Sequence, residues 1–156
     1  MTETDDRPPL LEMLVFRPAV KADIPALQDL YRQLLPQVET CVESMAQTLE
    51  TMQHQSDNQV IVAVMDSRVV ATCQVCIYDN LARSPRRKAV IDSVVVCESV
   101  RNQGIASAMI QWVKKILTGR GCSHAGVAAR FSRHEAHHLY PKLEFEQFGY
   151  YFLYRM

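Results

Sequence analysis

The sequence carries no excess of either charge, no long apolar run and no cysteine framework. Lysine plus arginine equals aspartate plus glutamate at 17 each, so nothing global draws the chain to nucleic acid or an anionic membrane. No apolar stretch approaches the roughly 18 residues that a membrane-spanning helix needs. Thr2 to Asp6 is acidic and polar, the reverse of a secretory leader. Five cysteines make an odd number without framework spacing, which fits a reducing cytoplasm. Repeats and low-complexity tracts are missing as well. A length of 156 residues suits one domain that buries a core without staples. Residues 1–10, running out through Pro8-Pro9, read as a loose tail, and 11–156 as that domain.

What is present is organised around Ala89 to Gly121. Val90, Ile91 and Val94 to Val96 form a β-branched run of strand length. A polar turn follows from Cys97 to Gln103, and Gly104 opens a helical pattern. Ile105, Ala108, Met109, Trp112 and Ile116 recur at spacings of three and four, which predicts one buried face. Gly119 and Gly121 supply the left-handed cap that ends such a helix. The joint, Arg101 to Ala106, therefore lies where free helix N–H groups and the helix dipole favour an anion. Neither well-known phosphate loop fits. The Gly-Lys-Ser/Thr ending of a Walker loop is missing, and so is the second glycine of the dinucleotide fingerprint.

In chain order, Met13 to Arg17 reads as a strand. Asp23 is the expected N-cap of a helix carrying Leu27, Leu30, Tyr31 and Leu34 on one stripe, stopped by Pro36. Thr40 to His54 is a second, poorer helix. Val60 to Met65 and Arg68 to Tyr78 form a hairpin across Asp66-Ser67, without the usual Asn-Gly. Asn80 to Arg87 is a loop. After the central unit come a strand at Ala125 to Ala129, a helix at Arg133 to Lys142 and an aromatic strand at Tyr150 to Arg155. The order β-α-α-β-β-β-α-β-α-β predicts an α/β mixed sheet with helices on both faces.

Arg101-x-x-Gly104-x-Ala106 after a valine strand resembles the pyrophosphate loop of the GNAT superfamily of N-acetyltransferases. Those enzymes carry Gln/Arg-x-x-Gly-x-Gly/Ala there and bind acetyl-coenzyme A. The segment His134 to Phe145 is similar to the family's Ala-x-x-Phe-Tyr-x-Lys-x-Gly-Phe, with Ala136, Tyr140, Lys142 and Phe145 in register. The Arg133 to His137 lead-in resembles that of small-amine acetyltransferases, including aminoalkylphosphonate ones. Leu139 replaces the usual Phe, Arg133 the usual Asn, and Glu144 the glycine that turns into the last strand. The resemblance spans about residues 12–154 and implies the GNAT fold, whose element order is the one read above.

It also implies roles. The N–H groups of Asn102, Gln103, Gly104, Ile105 and Ala106 would face the coenzyme diphosphate, with Arg101 adding charge and Ser107 and Arg133 nearby. The coenzyme's pantetheine arm would pair with Val94 and Val96, with Val95 between them also counted among the cofactor contacts, where a bulge splays this strand from the next. The Val96 N–H would hold the thioester oxygen as it turns anionic. Tyr140 matches the family's general acid. Asp92, two and four residues before Val94 and Val96, reads as sharing their face, and a carboxylate in an apolar strand is costly unless paired or used. It is the candidate base, with pairing to an arginine as the structural alternative. The expectation is a cytoplasmic enzyme moving acetyl from acetyl-coenzyme A to a small primary amine. A protein or peptide amine, or a silent coenzyme-binding sensor, stands as the alternative. Neither nucleic acid nor membrane is an expected partner, and the aromatic last strand could pair across a homodimer.

Other motifs compete. His134-Glu135-Ala136-His137-His138 satisfies the zinc-protease pattern His-Glu-x-x-His. About 18 residues follow His138, and only Glu144 or Glu146 could add a ligand, so these histidines read as an amphipathic helix and no metal is expected. Cys73 and Cys76 lie three apart on a strand and point to opposite faces. Cys97 follows the coenzyme strand and is a weak candidate for covalent work. Arg83, Arg86 and Arg87 read as a solvated loop before they read as an anion site. The acceptor would be lined by residues around 36–44, 79–87 and 143–150.

Overall fold

The computed structural model describes residues 9–83 and 87–156, the Arg83 side chain excepted. Thus most of the anticipated 1–10 tail and Arg86 lie outside the described residues. Pro9 and Leu10 begin a short helix, α1 (Pro9–Glu12), whose Leu10 and Leu11 pack on the core. Five strands follow: β1 (Val15–Pro18), β2 (Asn58–Met65), β3 (Arg68–Asp79), β4 (Arg87–Val96) and β5 (Cys122–Val127). They form one sheet in chain order, antiparallel from β1 to β4 and parallel between β4 and β5. The parallel step needs a crossover, and the helix α4 (Ile105–Gly119) provides it.

Helices cover both faces. α2 (Ile24–Leu34) and α3 (Val42–Gln53) bury Ile24, Leu27, Leu49 and Met52 against Val60 and Val62. On the opposite face, α4 and α5 (His134–Lys142) pack with Ala71, Cys73, Val75 and Ile91. Trp112 of α4 lies against Phe16, ring centres 5.8 Å apart. The buried stripe of α4 is Ile105, Met109, Ile110, Val113 and Leu117, while Ile116 is exposed. That stripe is rotated from the expected one, because the apolar arc of this helix is wide and spacing alone admits either half of it.

The hairpin turn keeps its sequence reading, and two strands depart from theirs. Asp66 and Ser67 both take positive φ, +49° and +63°, so the hairpin makes a left-handed two-residue turn without glycine. β5 starts earlier than predicted, straight from the positive-φ turn at Gly121, and ends at Val127, the last residue with a β4 partner. Tyr150 to Arg155 forms no strand. Periodicity marks a segment able to pair, but the ladder that makes it a strand must come from a neighbour.

Two charge clusters brace the frame. Asp57 receives Arg87 from β4 and Arg120 from the turn after α4, and Arg120 also donates to the Ser56 carbonyl. Asp79 lies 3.3 Å from Arg87 as well. Arg87 is thereby committed to structure. Asp23 stands at the N-cap of α2 as anticipated, but its carboxylate makes no cap bond there; it accepts both arms of Arg17 at 2.7 and 3.0 Å and the Val20 N–H at 2.8 Å.

The Arg17 hydrogen bond holds the buried Asp23 carboxyl below its ordinary value, against the opposing pull of burial. A group lowered in the folded state stabilises above its unfolded pKa of about 3.9 and loses that contribution as pH falls through the lower folded value. Asp23→Asn is expected to cost about 1–3 kcal/mol in urea melts at neutral pH. The gap between variant and parent should close as the pH falls below about 4.

Candidate active site

The local backbone of β4 sets the geometry. Gln74 opposes Asp92 and Thr72 opposes Val95, so Cys73 alone faces both Ser93 and Val94. This is a bulge, with Ser93 at φ +51° and its N–H donating to Asp92 Oδ1 at 2.6 Å. β4 pairs with β5 only as far as Ile91 opposite Val127. Beyond that pair the two strands part.

The bulge resets the alternation. Asp92 shares its face with Val95, opposite Gln74 and Thr72, and not with Val94 and Val96 as strict period-two counting requires. Peptide directions follow the same logic. The Cys97 N–H reaches the Val70 carbonyl at 2.8 Å, so Cys97 and Val95 turn their peptide groups to β3. Val94 and Val96 turn theirs into the gap. Two arginines confirm it: Arg101 Nε donates to the Val96 carbonyl at 3.0 Å, and Arg133 donates to that of Val94 at 3.4 Å. Val95, expected among the cofactor contacts, is buried and faces β3, so its backbone does not reach this slot.

At the mouth of the slot the chain turns through Arg101 to Gly104 into α4. Asn102 and Gly104 take positive φ, +61° and +80°. Such alternation of handedness points successive N–H groups inward as an anion nest. The first intrahelical bond is Ala108 N–H to the Gly104 carbonyl at 3.0 Å. Among the described residues, no N–H from Arg101 to Ser107 finds a protein acceptor. Ile105 is buried by side chain, so its contribution to this row is the backbone alone.

On the far side of the gap stands α5. Tyr140 packs edge-on against Phe145, centres 5.5 Å apart. Burial pushes its hydroxyl up to about 12; the nearby Arg133 charge pulls it down, while Cys73 and Asp92 add to the rise. Asp92 is exposed yet close enough to act on Tyr140 and on Tyr31 of α2. The Tyr31 hydroxyl is raised first by burial, with the nearby Thr72 hydroxyl pulling the other way. Tyr31 went unnoticed in the sequence because it lies on the apolar stripe of α2 and reads as core. Gln33 of the same helix accepts the Glu98 N–H at 2.9 Å, tying α2 to the loop after β4. Only the place of Gln33 beside Tyr31 could have hinted at that.

Cys73 is buried and its thiol is raised by burial to about 12; Cys76 faces the other side of the strand. His137 Nε2 lies 2.9 Å from the Arg130 carbonyl at the start of α5. No group of three or more His, Cys, Asp or Glu converges among the described residues. The Cys97 thiol lies 3.2 Å from Ser99 Oγ, which holds its pKa below the ordinary value. Glu144 adopts φ +65°, and its carboxylate meets Lys114 at 2.9 Å while Lys114 also holds the Leu143 carbonyl.

Known proteins share this fold. The sequence model of the acetyltransferase (GNAT) family matches residues 24–145. No curated protein matches the sequence significantly. Among solved structures, an acetyltransferase candidate from Agrobacterium tumefaciens str. C58 superposes with a TM-score of 0.84 at 26% identity, covering 91% of this chain and 99% of that one. Glucosamine-6-phosphate N-acetyltransferase from Arabidopsis thaliana gives 0.81 at 16% identity over 91% and 97%. The aminoglycoside acetyltransferase meta-AAC0020 from an uncultured soil metagenomic sample gives 0.79 at 18% over 93% and 97%. At those last two identities the likeness is one of fold.

Proposed function

We propose, from the premise that this chain belongs to the acetyltransferase (GNAT) family, that it transfers acetyl from acetyl-coenzyme A to a small primary amine in a ternary complex. The observation that carries this reading is the row of amides from Arg101 to Ser107 that meet no protein acceptor among the described residues, set beside the outward-turned peptides of Val94 and Val96. A diphosphate is the anion whose oxygens suit such a row at a helix start. An amide-bearing arm is what the open edge of β4 can pair with.

The residues then divide the work. The nest holds the diphosphate, and Arg101 and Arg133 exchange a backbone carbonyl for ligand contacts as the slot fills. The Val96 N–H donates to the thioester oxygen while charge grows there. Asp92, in open water at the gap, draws in the ammonium and takes its proton directly or through a water. Tyr140 faces the departing sulfur. With its pKa near 12 it stays protonated throughout the physiological range. Against a thiol of about 8.5, full proton transfer from it is uphill by roughly a thousandfold or more. Tyr140 therefore stabilises the thiolate as a hydrogen-bond donor, and the proton is delivered later from solvent.

A small acceptor is favoured by the Arg133 to His137 lead-in and by Asp92, an exposed carboxylate at the gap. Titration calorimetry tests the premise of binding. Acetyl-coenzyme A should bind with a dissociation constant in the micromolar range and pantetheine at least a hundredfold more weakly. An absence of heat at millimolar acetyl-coenzyme A would sink the reading. A panel of amines assayed by thiol release then identifies the acceptor class.

A further inference from the structure

The polar stripe of α4 serves neither the core nor the slot. Gln111, Lys114, Lys115 and Thr118 recur at spacings of three and four, so they share one face of the helix. With Lys142 and Glu144 from the end of α5 and the turn after it, they line an open groove of about 670 Å³. Its three lysines against the one carboxylate leave a surplus of positive charge. In a chain whose charges balance at 17 each, that surplus is local to the groove. Lys115 and Lys142 are exposed and take no ion-pair partner among the described residues. Lys115 lies ten residues along α4 from Ile105, about 15 Å at the helical rise, so the groove is separate from the amide nest.

Glu144 occupies this groove at a cost. Its φ of +65° lies in the left-handed region, which strains a side chain of this kind and which glycine enters freely. Its carboxylate meets Lys114 at 2.9 Å, yet the side chain is 86% exposed. A pair so open to water is weak and readily exchanged. Lys114 thus holds a carboxylate that a stronger anion displaces. The same ammonium holds the Leu143 carbonyl at 3.0 Å and lies 6.0 Å from the Phe145 ring centre. Phe145 in turn donates its N–H to the Tyr140 carbonyl at 3.0 Å and packs edge-on against the Tyr140 ring. The strained turn at Glu144 is the element with two states, held by Lys114 or released, and Tyr140 lies one contact beyond it.

We propose that the groove binds a phosphate-bearing small molecule, which takes Lys114 from Glu144, releases the turn from Leu143 to Phe145 and shifts Tyr140. A carboxylate is served by one lysine, as that of Glu144 is. Phosphate has oxygens enough to engage ammonium groups converging from two helices. On the acetyl-transfer reading, on which this last consequence rests, the bound anion slows turnover and leaves coenzyme affinity intact.

NMR titration of the isotope-labelled protein with inorganic pyrophosphate tests the binding without any turnover. The amides of Lys114, Lys115, Thr118 and Lys142 should shift together, with a dissociation constant below about 1 mM, and the shifts should extend to Phe145 and Tyr140. Shifts from Gly104 to Ser107 report the nest, and they should survive the exposed double variant Lys115→Ala with Lys142→Ala. That variant should bind at the groove at least about tenfold more weakly. Glu144→Gln removes the competing charge and keeps the length, so it should bind about threefold tighter or more. Groove shifts without nest shifts would support the proposal and count against the coenzyme reading alone. At saturating acetyl-coenzyme A, pyrophosphate should lower kcat about threefold in the parent and leave the double variant unchanged. Missing groove shifts at about 10 mM pyrophosphate, equal affinity in the double variant, no gain in Glu144→Gln, or shifts that stop short of Phe145 would each overturn the proposal. So would an acidic peptide that binds the groove more tightly than pyrophosphate.

Discussion

Gly104→Asp should weaken acetyl-coenzyme A binding by at least a hundredfold, and Gly104→Asn by no more than about fivefold. Gly104 sits at φ +80°, where most side chains are strained, but Asn and Asp tolerate this region better than others. Space is no obstacle either, since an added Cβ would meet only Leu11 at 3.5 Å, an ordinary contact. The backbone therefore survives both changes. They differ in charge alone. An aspartate there places its carboxylate before the amides that a diphosphate would use, satisfies them itself and repels the ligand. Two charges about 4 Å apart interact by about 4 kcal/mol at an effective dielectric of 20, and even half of that accounts for a thirtyfold loss before the blocked amides are considered. Calorimetry with both variants reads the result. Equal losses would mean that shape rather than charge matters here, and no loss in either would remove the loop from the binding site.

The second large effect concerns turnover. Tyr140→Phe keeps the edge-on packing with Phe145 and removes only a hydroxyl, so coenzyme affinity should hold while kcat drops by about a hundredfold or more. Asp92→Asn is the matching test on the other side of the gap. An asparagine oxygen can still accept the Ser93 N–H, so the bulge should persist. If kcat falls by about a hundredfold at pH 7 with the melting temperature unchanged, the carboxylate's charge serves the reaction. Full retention of kcat would leave Asp92 with the pinning of Ser93 as its role. Because Tyr140 keeps its proton up to about 12, it should impose no alkaline limb on the rate profile below pH 10.

Most of the helices and strands were legible because each carries a long periodic signal, α4 above all. The candidate site, as a set of neighbouring positions, was legible in part. Arg101 to Ala106 could be read from glycine and arginine at a strand-to-helix joint, and Tyr140 from its motif. The facing of Asp92 could not, because one left-handed serine shifts the alternation and serine gives no warning of it. Val95, set among the cofactor contacts, turns its peptide groups to β3 because alternate residues of an antiparallel ladder do so. The fate of Tyr150 to Arg155 was illegible for a different one: pairing depends on a partner that lies elsewhere, whatever the local pattern. Arg87 looked like a loop cation and proved to be held by Asp79, its partner across the strands, and by Asp57, distant in sequence and brought near only by the folded sheet.

That Asp57 cluster has a mechanical consequence. It rivets β4, β2 and the foot of α4 together at the end of the sheet remote from the splay, beside the five β4 residues that still pair with β5. The two strands then behave like the arms of a clothes-peg, fast at the spring and free at the tips. Widening at the tips breaks no ladder bond, whereas widening at the spring would break both ladder and ion pairs. A guest therefore has one economical way in, tip first, and a bulkier acyl chain is accommodated by opening the same jaw further.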